Sequence, residues 1–146
     1  MKKIQSLLLI AIFGFGLIVP LFQATDALAK CKKSKRVRLE CRAFGPGDTS
    51  MKARYQKKRS REKLSVSFEA APGGSFAVGD VLDVGFNGTV IGSMILSQPD
   101  GIGDIEGDLD FDSKADADDE DLPFPSIVVG DGDEITVGDL GCRLED

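Results

Sequence analysis

The segment from Gly79 to Leu96, GDVLDVGFNGTVIGSMIL, is the most tightly specified stretch of the chain. Asn87-Gly88 lies between two apolar runs, and both residues accept the positive φ of a two-residue type I′ turn, so the segment predicts a β-hairpin. Closing there pairs Phe86 with Thr89, Val84 with Ile91 and Leu82 with Ser93. A side-chain period of two then gathers the larger groups on one face, the candidate core. Asn87-Gly88-Thr89 also matches a glycosylation acceptor, but the turn already accounts for these residues.

The same alternation recurs along the chain. Val37, Leu39, Cys41 and Ala43 take turns with Arg36, Arg38, Glu40 and Arg42; Met51, Ala53 and Tyr55 with Lys52, Arg54 and Gln56; Leu64, Val66, Phe68 and Ala70 with Ser65, Ser67, Glu69 and Ala71. Each reads as a half-buried strand, divided by the turns Gly45-Pro46-Gly47-Asp48 and Pro72-Gly73-Gly74 and by a basic connection from Lys57 to Lys63. Phe76 to Val78 is a short apolar lead into the hairpin. Leu109 and Phe111, between Asp108, Asp110 and Asp112, mark a further strand. Asp116 to Asp121 reads as loop, and Pro123-Phe124-Pro125 as an edge or strand entry. Ile127–Val129 and Ile135–Val137 flank Gly130-Asp131-Gly132-Asp133 as a second hairpin candidate, and Leu140, Cys142 and Leu144 alternate at the end. No segment of the exported part sustains an apolar period of 3.6. The expected fold is all-β, a small antiparallel β-sandwich of about seven to nine strands that resembles immunoglobulin-like modules in outline, with a small barrel as the alternative. The resemblance is one of architecture and carries no functional residues. Trp is absent, so the core tryptophan of antibody-type domains is missing.

Residues 1–29 read as a secretory signal: Lys2 and Lys3, an apolar run from Leu7 to Val19, Pro20, then Ala27-Leu28-Ala29 before the cut. The run is shorter than the roughly 20 residues that cross a bilayer, so no membrane span is expected once it is removed. Residues 30–35 form a basic arm, and residues 36–146 a single domain with an acidic loop over 112–122, destined to be secreted, periplasmic or held at the cell surface. All three cysteines lie in the exported part, where disulfides persist. Cys41 and Cys142 sit in the first and last alternating segments and are the expected pair. Cys31 is the alternative partner for either, and as the leftover thiol it could mediate a dimer.

Charge is sharply divided. Residues 30–63 carry 14 Lys and Arg against 3 Asp and Glu, and residues 64–146 carry 2 against 20. Basic and acidic strands lying side by side in one sheet would neutralise one another. The absence of histidine removes Ser-His-Asp and Cys-His catalysis and the usual zinc sites, so no enzyme is expected. Asp108, Asp110, Asp112, Asp116 and Asp119 fall at positions 1, 3, 5, 9 and 12 of a calcium loop, the one cofactor the sequence offers. Ser113 stands where the turn glycine belongs, and no helices flank the loop. The bland alternative is edge-strand charge that blocks sheet aggregation. Lys52, Arg54, Lys57, Lys58, Arg59, Arg61 and Lys63 form a candidate polyanion patch, although Tyr55 alternates inward and export disfavours nucleic acid. The function expected from these features is a non-enzymatic secreted or cell-surface structural or adhesion module, possessing at most a weak calcium site and meeting a protein or glycan partner. The alternative is an exported polyanion-binding module.

Overall fold

Alternation dictates strands, and the computed structural model contains nine: β1 (Arg36–Gly45), β2 (Thr49–Lys58), β3 (Arg61–Ala70), β4 (Val81–Phe86), β5 (Thr89–Ile95), β6 (Ile105–Asp112), β7 (Leu122–Pro123), β8 (Glu134–Val137) and β9 (Leu140–Arg143). The structure describes residues 36–99, 101–116 and 120–146. The signal over residues 1–29, the arm, Cys31 and Asp119 lie outside them. Among the described residues there is no helix. The strands form a five-stranded sheet, β1-β2-β3-β6-β7, and a four-stranded sheet, β5-β4-β8-β9. Every pairing is antiparallel except the short parallel contact of β7 with β6.

The inward residues of both sheets make one apolar core, led by Tyr55, Phe68, Met51, Leu64, Met94 and Ile135. Its two flanks are stitched. On one, Glu40 bridges to Glu145 and the disulfide joins Cys41 of β1 to Cys142 of β9, with Cα atoms 5.7 Å apart. On the other, Ser97 leaves β5 to bridge Glu106 of β6. The expected sandwich and the expected cystine pairing are both present.

Three local expectations need correction. The Asn87-Gly88 turn forms, with φ of 46° and 80°, and Phe86 pairs with Thr89. Beyond it a bulge changes the register, so that Val84 pairs with Gly92, not Ile91, and Leu82 with Met94, not Ser93. The segment Val90-Ile91-Gly92-Ser93-Met94-Ile95 is apolar on both parities, and packing chooses between them. With the bulge, Gly92 lies beneath Leu109 and Phe111, where a Cβ would come within 2.9 Å and 3.1 Å of their side chains. Met94 is then 2% exposed while Ile95 is left 68% exposed.

The basic connection over Lys57–Lys63 is also absent. β2 runs to Lys58, Arg59 and Ser60 form the turn, and Arg59 takes the left-handed φ of 59°. Lys57 and Glu62, on neighbouring strands, form an ion pair that extends the ladder. Finally, Ile127–Val129 is no strand. The Gly130 N–H donates to the Asp133 carboxylate at 2.7 Å, closing a turn that delivers the chain to β8. β8 then pairs with β4 and, through the turn Gly138-Asp139, with β9.

The bridge closes a loop spanning 101 positions. Replacing both Cys41 and Cys142 by Ser should therefore lower the unfolding free energy by about 4 to 5 kcal/mol in the chain-entropy account. Urea denaturation of the two proteins measures it.

Candidate functional site

The outward side chains of β1, β2, β3 and β6 are the strongly charged surface of the fold, and register arranges them in rows. Across one row run Glu40, Arg54, Ser65 and Asp110; across the next, Arg42, Lys52, Ser67 and Asp108. Cations therefore stand on β2 and, at Arg42, on β1, where Glu40 is the one carboxylate; carboxylates stand on β6, and two serines lie between on β3. Because serine is short, the middle of the face is recessed. A trough of about 300 Å³ is lined by Lys52, Arg54, Ser65, Ser67, Asp108 and Asp110. A smaller hollow of about 170 Å³, bounded by Arg42, Phe44, Ser50 and Glu69, continues it through the shared Lys52 and Ser67.

Toward the Arg61 end of the sheet the two signs meet. Asp112, only 1% exposed, accepts from Arg61 Nε at 3.1 Å and 2.9 Å, pairs with Lys63 Nζ at 2.9 Å, and accepts the Lys114 N–H at 2.9 Å. The Arg61 guanidinium, foremost among these donors, holds the Asp112 carboxyl well below the usual carboxylate range. Lys63 reaches Asp121 as well, at 3.0 Å. Glu40 takes Arg38 at 2.6 Å and Arg54 at 2.6 Å, and its own carboxyl is lowered by them in that order. Tyr55 points into the core and donates to Glu62 at 3.2 Å; burial first, then the Glu62 charge, pushes its phenol up to about 12.

Along the trough and the hollow that continues it, away from Arg54, the situation is different. Among the described residues, neither Arg42 nor Lys52 has an ion-pair partner, and neither do Asp108 and Asp110. Burial, and then the neighbouring Asp110 and Glu69 charges, pushes the Asp108 carboxyl up. Two strand spacings, about 10 Å, separate Lys52 from Asp108 across Ser67. The face therefore presents opposite charges held apart over a polar floor.

The two candidate sets from sequence fare unevenly. Of the seven cations in the polyanion set, Arg54, Lys57, Arg61 and Lys63 are held by carboxylates of the domain, whereas Lys52, Lys58 and Arg59 have no carboxylate partner among the described residues. Of the calcium set, Asp108, Asp110 and Asp112 stand in a row along one face of β6, Asp112 is engaged by two cations, and Asp116 lies beyond the strand. Among the described residues no three His, Cys, Asp or Glu side chains are grouped so as to hold a metal. Ser65, Ser67, Arg42 and Glu69 were not singled out from sequence. Their outward parity was readable, but their neighbours were not. Compared with protein families, curated proteins and solved structures, the chain matches none.

Asp112→Asn removes the charge that Arg61 and Lys63 share, and should destabilise the domain by about 2 kcal/mol near neutral pH. Since folding lowers this carboxyl, its contribution is complete above the unfolded value of about 4 and fades as pH falls below it. Denaturation of both proteins across that range should show the difference shrinking toward acid.

Proposed function

We propose that the chain is an exported structural or adhesion module without enzymatic activity, acting by docking the outer face of its five-stranded sheet onto a protein or glycan at the cell surface. One observation carries the reading: the trough over Ser65 and Ser67 sets Lys52 against Asp108 and Asp110, with Arg42 in the hollow that continues it, and none of the four has an ion-pair partner among the described residues. A polyanion laid along it would meet the carboxylates of β6, so the face suits a partner that bears both signs. The cystine bridge fits an oxidising compartment. Among the described residues no helix is long and apolar enough to cross a membrane. Calcium has no part in this reading, because Asp112 already commits its carboxylate to Arg61 and Lys63.

A second observation favours the polyanion alternative at another place. At the end of the sheet Arg36 and Lys58 share a row with Arg61, which Asp112 holds, and Arg59 lies beside them; among the described residues Arg36, Lys58 and Arg59 have no carboxylate partner. Lys58→Ser with Arg59→Ser should abolish retention on heparin if this corner is the site, and retention that persists would remove it.

The docking reading is tested by adding the purified chain back to the cells that export it. Wild type should sediment with them at low salt, and Arg42→Glu with Lys52→Glu should reduce the bound fraction by about tenfold or more. Equal retention of the variant, or release by detergent alone, contradicts it.

A further inference from the structure

The partner suited to the trough is written in the face itself. Lys52 and Asp108 lie one strand to either side of Ser67, and Arg54 and Asp110 one strand to either side of Ser65. A twofold axis running parallel to the strands, over β3, exchanges the two sides and keeps each row at its own height. From this we infer that the outer face of the five-stranded sheet docks onto a second copy of this chain, each Lys52 opposite the other copy's Asp108 and each Arg54 opposite its Asp110. The inference rests on the docking reading above and names its partner.

The geometry is that of two sheets packed face to face about 10 Å apart, a gap that a lysine and an aspartate close between them. Ser65 and Ser67 lie on the axis and meet their own copies, where short hydroxyls cause no clash and no repulsion. Glu69 also lies on β3, so it falls on the axis one row further along. There the two Glu69 carboxylates face each other, a like-charge contact that the opposed Lys52 and Asp108 pairs on both sides of the axis must outweigh, while Lys63, which meets its copy at the other end, is neutralised by Asp112 and Asp121. Such a contact is isologous and closes on itself, giving a dimer and not a fibre. It provides Asp108, which lies beside the carboxylates of Asp110 and Glu69, with a cation. Arg54 keeps Glu40 as a partner on its own sheet, so Lys52 and Asp108 are the pair that only the second copy completes.

Charge exchange tests this, read by sedimentation velocity on the chain with Cys31→Ser, so that no disulfide links copies. Wild type should dimerise in about 20 mM salt and weaken at least tenfold in about 500 mM. K52E alone and D108K alone each set like charges together twice and should weaken association by about tenfold or more, while their equimolar mixture restores it, because both opposed pairs again carry opposite signs. K52E with D108K in one chain should dimerise like wild type, a result no foreign partner would give. A monomer under all conditions, a dimer indifferent to either single exchange, or a mixture that stays monomeric overturns the inference. If the chains stay monomeric while the exchanges still strip them from cells, the docking reading stands and the second copy is excluded.

Discussion

Register between β3 and β6 is the constraint on which the rest depends. Leu64 faces Phe111 and Val66 faces Leu109 on the inner side, while Lys63 faces Asp112, Ser65 faces Asp110 and Ser67 faces Asp108 on the outer. A slip of one residue would turn Asp108 and Asp110 into the core and expose Leu109 and Phe111. Burying unpaired carboxylates costs far more than such a slip could return, so the apolar pattern admits one alignment. The bonds of Asp112 to Arg61 and Lys63 then fix it from the outer side.

That alignment converts a charge division along the sequence into a pattern across a surface. The hairpin β2-β3 carries its cations to one end and one side of the face, and β6 lays its carboxylates along the other. Where long cations meet Asp112 and Glu40, the charges are neutralised within the domain. Where serines intervene, they are not. The unneutralised trough is therefore a product of side-chain length as much as of charge: a lysine or aspartate at either serine would fill it and let the two sides pair directly.

Much of the fold was legible in the sequence because period two is unambiguous where apolar and charged residues alternate, as in Arg36–Ala43 and Leu64–Ala70. The cystine followed from the same reasoning, since Cys41 and Cys142 share inward parity in terminal strands. Legibility failed where one residue type served both faces. In Val90–Ile95 the bulge was decided by Leu109 and Phe111 lying against Gly92, contacts that no local pattern encodes. The Lys57–Lys63 stretch looked like a loop because it lacks apolar residues, yet Glu62 and Asp112 supply the counter-charges that make it a hairpin. The trough was invisible for a related reason: β3 and β6 are neighbours across an intervening hairpin, and only their pairing shows that Ser67 stands between Lys52 and Asp108.

The central claim is that one sheet face holds a neutralised end and an unneutralised trough, set by this register. Two aspartates four residues apart on the same strand report it directly. An NMR titration of their side-chain carboxyls should find Asp108 protonating above the usual aspartate range, through burial and its acidic neighbours, and Asp112 below it, through Arg61 and Lys63. Both groups titrating alike, or in the reverse order, would contradict the account.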